Sequence, residues 1–149
     1  MRMHVVRFAF GIAAVVGTAM TVACSSSTSP STTTTTTTTT TVTFSTQIQA
    51  QILTPACTSC HTDEGRNPSG GLNLKSGAAY AALVGVASTG KAGAIRVIAG
   101  NPSGSYLVQK LEGASDIVGL RMPRNGPPFL TDAQVALIRQ WIQNGAPNN

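Results

Sequence analysis

The feature that most constrains this chain is a five-residue pattern, Cys57-Thr58-Ser59-Cys60-His61. Two thiols lie one helical turn apart, and an imidazole follows the second thiol at once. This C-x-x-C-H spacing is typical of the attachment sequence for a c-type haem. In that chemistry each thiol forms a thioether with a haem vinyl group, and the histidine becomes the proximal ligand of the iron. The pattern therefore predicts one covalent haem, attached at Cys57 and Cys60, with His61 as an axial iron ligand.

Three other interpretations of the two cysteines stay open. A thioredoxin-like redox pair also uses C-x-x-C, but it needs a βαβ frame, and no apolar strands alternate with helices near Cys57. A structural zinc site needs four Cys or His ligands, and outside the pattern the chain offers only Cys24 and His4, far away near the N-terminus. A plain disulfide between Cys57 and Cys60 would suit an oxidising compartment. We favour the haem.

The N-terminus is expected to direct export. Two arginines precede Phe8–Ala23, a 16-residue apolar run that ends in small residues. The run is shorter than the roughly 20 apolar residues that a transmembrane helix needs. Residues 1–23 are therefore predicted to be a signal peptide, and the protein is expected in the periplasm or cell envelope.

Cys24 directly follows this run, and the junction resembles a bacterial lipoprotein signal, although Thr21 stands where such signals usually have leucine. Lipidation of Cys24 would anchor the protein to a membrane, and it would also account for a thiol that is otherwise odd in an oxidising space. The alternative is ordinary cleavage nearby, which would leave a soluble exported protein. We expect the lipid anchor.

Residues 24–43 are rich in serine and threonine and include an unbroken threonine run from Thr32 to Thr41. Such a segment cannot bury enough apolar surface to offset the entropy lost on ordering. We expect a disordered linker here and a folded domain over residues 44–149.

Charge excludes one class of partner. The formal net charge is +5, and loss of Arg2 and Arg7 with the signal leaves eight bases against five acids, or +3. This balance is too small for nucleic acid, and the basic residues are scattered. Arg121 and Arg124 could form a basic rim at the haem edge. Arg96 could pair with a haem propionate, but an ordinary surface position is favoured.

Apolar periodicity and turn residues predict helices rather than strands. Phe44, Ile48 and Ile52 form one face of a first helix, which Pro55 is expected to break before the haem motif. The remaining predicted segments are a loop over 62–76, a helix over 77–84, an extended run over 95–98, a helix over 101–111 and a loop over 119–130.

The last helix carries the clearest local signals. Thr131 and Gln134 form a capping box at its start, and Asn144-Gly145 is the expected C-cap. Its predicted buried face consists of Val135, Ile138, Trp141 and Ile142. Two leucines of the loop after the haem motif, Leu72 and Leu74, could lie against the porphyrin or belong to the ordinary core.

The inventory of side chains limits the sixth iron ligand. His4 should leave with the signal, so a second histidine is excluded within the mature monomer. Met122 is the only methionine outside the signal, and it lies in a Pro- and Gly-rich loop that could reach the other haem face. Lysine ligation, for instance by Lys110, is a weaker alternative. A His/Met pair favours ferrous iron relative to two nitrogen ligands.

Five motifs of residues 44–146, about two thirds of the chain, occur together as in a known family. They are the haem motif, Gly71-Leu72-Asn73-Leu74, Gly100-Asn101-Pro102 with Ser105 and Leu107, Met122-Pro123, and Trp141-Ile142-Gln143-Asn144-Gly145-Ala146. With these motifs the segment resembles the class I type cytochrome c fold, and in particular the single-haem domains of the planctomycete-type cytochrome c group. The resemblance implies a small all-α fold whose N- and C-terminal helices pack beside the haem. It also implies His61 and Met122 as axial ligands.

The expected function is electron transfer to and from redox partner proteins, without enzymatic activity, since no nucleophile or paired carboxylates stand out. Asp63 and Glu64 follow the haem motif and are expected to be solvated. Two alternatives remain. If Met122 is not a ligand, the open iron would suit a small-ligand sensor or a peroxidase-like enzyme. The haem could also be mainly structural in a surface interaction module.

Overall fold

A computed structural model describes residues 41–62 and 69–149. The predicted signal peptide, the lipidation site Cys24, most of the linker and the acidic pair Asp63 and Glu64 lie outside the described residues. Within the described ranges, no helix combines the length and apolar character needed to cross a bilayer. These residues belong to one unit, Thr38–Asn149. Val42 is already part of its core, two residues before the predicted start of the domain.

The first helix is longer than predicted. The N-terminal helix, Phe44–Leu53, has π-helical hydrogen bonding and runs directly into α1, Thr54–Cys57. Its predicted apolar face is buried, and Gln49 is buried with it. The break expected at Pro55 does not occur. Pro55 lies in the first turn of α1, and the helical backbone continues through this position, since Leu53 and Thr54 both have the right-handed helical conformation.

The middle of the domain contains two short helices. Helix α2, Ala79–Leu83, lies inside the predicted 77–84 segment and is followed by Gly85 at φ 72°. Helix α3, Tyr106–Glu112, ends as expected at Gly113, which adopts the left-handed conformation. A short 3₁₀ turn, Ser69–Gly71, precedes both helices.

The predicted start of α3 at Asn101 is wrong. The Asn101 side chain accepts a hydrogen bond from the Gly104 N–H at 2.9 Å, so it caps a turn and not a helix. Ser105 then adopts an extended conformation as the N-cap of α3, and its hydroxyl donates to the Asn101 carbonyl at 2.8 Å. An asparagine can cap either a helix or a turn, and in this fold Asn101 caps a turn.

Extended pairing within the described ranges is limited to three isolated bridges, which join Val84 to Val97, Ala87 to Ile95, and Ile98 to Asn101. The predicted extended run 95–98 contributes to all three bridges. Because these bridges do not build a strand ladder, the described part of the chain is helix-rich and belongs to the all-α class.

Helix α4, Asp132–Gln143, confirms the local predictions. The Thr131 side chain accepts from the Gln134 N–H, and the Gln134 side chain accepts from the Thr131 N–H, which completes the capping box. All four predicted core residues of α4 are buried. Asn144 is the C-cap.

The two end helices of the domain pack against each other through aromatic rings. Trp141 of α4 is fully buried, and its ring centroid lies 5.1 Å from that of Phe44. Tyr80 approaches Phe44 edge-on at 5.3 Å, a favourable aromatic geometry. The polar edges are also satisfied: Trp141 Nε1 donates to the Pro147 carbonyl at 2.9 Å, and the Tyr80 hydroxyl donates to the Ala146 carbonyl at 3.0 Å.

Candidate haem site

One cavity brings together the four residues that the sequence analysis assigned to the haem in this domain. It has a volume of about 330 Å³ and is lined by Cys57, Cys60, His61 and Met122. This volume lies at the lower end of the range of ~300–1,000 Å³ that is usual for small-molecule sites. Met122 lies in a loop, 61 positions after His61 in the sequence. The fold therefore brings Met122 to the same cavity as the three residues of the haem motif.

The haem motif forms a helical turn at the end of α1. Cys57 is the last residue of that helix, and its carbonyl accepts hydrogen bonds from the N–H groups of Cys60 at 3.2 Å and His61 at 2.9 Å. Residues four apart on a helical turn share one side. The turn therefore presents Cys57 and His61 to the same cavity. Thr58 reinforces the turn, because its hydroxyl donates to the Thr54 carbonyl at 2.6 Å.

The two thiols differ in environment. Cys57 is half-buried and Cys60 is exposed, and in this structure both are free thiols rather than a disulfide. Burial raises the pKa of the Cys57 thiol to about 11. The thiolate is the reactive form, so Cys57 is mostly protonated at neutral pH and should react more slowly than a thiol with an ordinary pKa.

The backbone of His61 is anchored to two other segments. Its carbonyl accepts from the Leu74 N–H at 2.8 Å, and the Leu74 carbonyl accepts from Gln49 Nε2 at 3.0 Å. Gln49 Nε2 also donates to the Thr54 hydroxyl at 3.1 Å, at the start of α1. Gln49 was not among the site residues predicted from the sequence. The one available signal was a polar residue between Ile48 and Ile52 on an otherwise apolar helix face.

The loop that carries Met122 is tied to α3. The Met122 N–H donates to the Lys110 carbonyl at 2.9 Å, and Arg121 Nε donates to the Leu111 carbonyl at 2.7 Å. Lys110 Nζ donates to the carbonyls of Val118, at 2.9 Å, and Leu120. These bonds hold the loop along α3 while Met122 packs partly buried against the core.

Lys110 was the weaker candidate for the sixth ligand. It also lines the cavity, and burial lowers its pKa. Its amine already donates to the loop carbonyls, so a role as ligand would require those bonds to break. The Met122 side chain makes apolar packing contacts, so no hydrogen bond would have to break for it to act as a ligand.

Most of the remaining cavity wall is apolar. Leu72 and Leu74 both line it, and Leu74 also belongs to the core, against which Leu72 packs, so contact of these leucines with a porphyrin stays a prediction. The other apolar residues of the wall are Ala56, Leu83, Tyr106, Leu107, Leu111, Val118 and Pro123. A mostly apolar wall with a few polar groups is usual for sites that bind a small molecule or cofactor.

The charged part of the wall is entirely cationic. Arg96, Lys110 and Arg124 line the cavity, and no described Asp or Glu does so. The favoured surface position of Arg96 is wrong: its side chain is buried, with 7% of its surface exposed. Burial is possible because the guanidinium donates to the backbone carbonyls of Gly70, Gly71 and Ala82. Arg121, the other residue of the predicted basic rim, lies over the Phe129 ring at 4.2 Å from its centroid.

The donor set fits a c-type haem. Two thiols, an imidazole and a thioether share a largely apolar cavity whose cations complement the two carboxylates of a haem. A site for a bare metal ion would look different, and within residues 41–62 and 69–149 no three His, Cys, Asp or Glu side chains form a cluster that could hold one. Comparison with family models, curated proteins and solved structures finds no match to this chain.

Proposed function

We propose that this protein is an electron-transfer cytochrome c with one covalent haem, attached through Cys57 and Cys60 and ligated by His61 and Met122. The observation that carries the proposal is the shared cavity: the C-x-x-C-H motif and the only methionine outside the predicted signal line the same apolar space. The all-α architecture, with N- and C-terminal helices in contact, is compatible with the small cytochrome c fold that the sequence resembles.

In this proposal each part of the cavity has a defined task. When bound, the haem supplies an iron that alternates between the ferric and ferrous states. The anchored turn of α1 fixes the two thiols and His61, and the loop bonded to α3 holds Met122 near the same space. A thioether ligand favours the ferrous state and leaves no iron position for oxygen or peroxide. The apolar wall keeps water away from the iron.

The cellular setting is part of the proposal. Lipidation of Cys24 would anchor the domain to a membrane of the cell envelope, and the Ser/Thr-rich segment would act as its tether. As a flexible coil, that segment would span roughly 25 Å, from about 5–6 Å times the square root of its residue number. The domain could then meet redox partner proteins at the membrane surface while it stays attached.

The test is the visible spectrum of the full chain, expressed with haem-maturation machinery, beside a Met122→Ala variant. The wild type is expected to be low-spin, with the weak long-wavelength ferric band of sulfur ligation. Met122→Ala should lose that band because the thioether is gone. Leu120→Ala is the matched control, since Leu120 lies in the same loop but is exposed.

Three results would contradict the proposal in whole or in part. A wild-type protein without covalent haem would remove its basis. A wild type that is already high-spin, and whose reduced form binds carbon monoxide, would favour the sensor or peroxidase-like alternative. A band that survives Met122→Ala would exclude Met122 as the ligand.

A further inference from the structure

Arg96 has the most unusual environment of the charged residues in the cavity wall. Its side chain is buried and lines the cavity. Its Nη1 donates to the Ala82 carbonyl at 2.8 Å, and its Nη2 donates to the carbonyls of Gly70 and Gly71 at 3.0 and 3.1 Å. These three bonds connect the 3₁₀ turn with α2 and fix the orientation of the guanidinium.

The partners of Arg96 orient its charge but do not neutralise it. Carbonyl groups are neutral, and the two ion pairs among the described residues are Lys91 with Asp116 and Arg139 with Glu112. The third described carboxylate, Asp132, is exposed in the first turn of α4. A buried charge without a counter-charge is costly, so such groups are normally paired. Burial lowers the pKa of Arg96, which is the direction expected for a cation that no carboxylate of the described residues compensates.

The guanidinium has capacity for a further ligand. It carries five N–H donors in a planar fork, and the three carbonyl bonds occupy three of them. The other two cations of the wall are less suited to a fixed contact, because Lys110 is held by loop carbonyls and Arg124 is exposed. Arg96 is thus the one cation of the described wall that is both buried and held in a fixed orientation.

We propose that Arg96 is an anion subsite of this cavity and binds a carboxylate of the cofactor. The inference rests on the proposed function, in which the cofactor is a haem with two propionates. Contact between a guanidinium and a carboxylate would supply a counter-charge that no described side chain provides, and it would form charge-assisted hydrogen bonds. Arg96 would thereby select the orientation in which the haem enters the cavity, with a propionate toward the 3₁₀ turn and α2.

The test observes the haem carboxylates directly. The full chain is matured in cells fed with an aminolaevulinate precursor that places ¹³C in the propionate carboxyl groups, and each labelled carbon is titrated by NMR in the reduced protein. In the wild type, one carboxyl should stay ionised well below the usual carboxylic acid range. In Arg96→Gln its pKa should rise by about 1–3 pH units, as expected when a carboxylate loses an arginine partner.

Two variants serve as controls. Arg139→Gln removes a charge that is paired with Glu112 outside the cavity, so both propionate titrations should remain as in the wild type. Arg96→Lys keeps the charge but not the fork, and it should give an intermediate shift. If Arg96→Gln fails to mature, the wild-type titration still decides: two propionates that both titrate in the ordinary range would overturn the proposal.

The outcome also separates this proposal from the one on which it rests. Covalent haem with a low-spin spectrum, together with propionates that are unaffected by Arg96→Gln, would overturn the anion subsite and leave the electron carrier intact. A wild-type chain without covalent haem would instead overturn the proposed function, and the subsite with it.

Discussion

Individual side chains in the cavity differ in ways that the C-x-x-C-H pattern does not reveal. The motif treats its two cysteines as equivalent, yet the fold buries most of Cys57 and exposes Cys60. The difference arises because Cys57 ends α1, where it packs against the core, whereas Cys60 lies in the turn that follows. Haem attachment would therefore join one shielded and one accessible thiol.

Thiol labelling of the chain before haem attachment tests this asymmetry. At pH 8 a maleimide should modify Cys60 before Cys57, because Cys57 is shielded and its raised pKa leaves little thiolate. The rate at Cys57 should climb as the pH rises toward about 11, where its thiolate becomes abundant. Peptide mapping by mass spectrometry would separate the two sites from Cys24.

Labelling in urea is the control, since unfolding should remove the difference between Cys57 and Cys60. Faster labelling of Cys57 in the folded chain would show that the α1 turn does not shield it.

At the scale of elements, α4 shows how a local signal can decide a boundary. The capping box at Thr131 satisfies backbone N–H groups that the first turn of a helix would otherwise leave without partners. The apolar face of α4 then packs on the N-terminal helix and on α3. Stability of α4 should therefore depend on both the cap and the packing.

Thr131→Ala should lower the free energy of unfolding by about 1 kcal/mol, the usual cost of losing an N-cap side chain. Urea unfolding followed by far-UV circular dichroism would measure the loss. Thr41→Ala is the matched control, because Thr41 is an exposed threonine outside any helix. Equal stability of the two variants would show that the cap contributes nothing measurable.

Elements whose signals lie within one helical turn were predictable, and those that depend on distant partners were not. The ends of α3 and α4 follow from Gly113 and the capping box. The predictions at Pro55 and Asn101 were wrong because each residue is compatible with two local structures. Pro55 suits either the end of a helix or the first turn of one. Asn101 suits either the N-cap of a helix or the cap of a turn. Only the tertiary environment selects between them.

The residues of the candidate site also differ in whether they could be predicted from the sequence. The haem-motif residues and Met122 could be named from the sequence because the inventory of ligands is so small. Burial of Arg96 could not, since it depends on carbonyls 14 to 26 positions away in the chain. The link from Gln49 through Leu74 to His61 spans a similar distance.

At the scale of the whole molecule, charge should govern which donors and acceptors react fastest with the proposed electron carrier. The described residues contain seven bases and three acids, and the charged part of the cavity wall is cationic. Attraction between unlike charges accelerates encounters at low salt, and ions screen it over about 10 Å at 0.1 M ionic strength.

Electron exchange with an anionic small-molecule mediator should therefore be faster than with a cationic mediator of similar potential, by about tenfold at low salt. Added salt should slow the first reaction and accelerate the second. Stopped-flow spectroscopy of the haem bands would measure both rates. Arg124→Gln should weaken the salt dependence, whereas Arg139→Gln, whose charge is already paired with Glu112, should change it less.

Equal salt dependence for the two mediators would contradict electrostatic steering at the cavity. Exchange that is slow with both mediators would instead favour the interpretation in which the haem is mainly structural.

The contact between Phe44 and Trp141 also equips the molecule with an internal optical reporter. Trp141 is the single tryptophan of the chain, and its indole is fully buried where the N-terminal helix meets α4. Before haem attachment, the tryptophan fluorescence of the chain comes from this one ring, and a shift of its emission to longer wavelength marks the separation of those two helices. The same residue that closes the core thus makes the assembly of the domain visible without an added label.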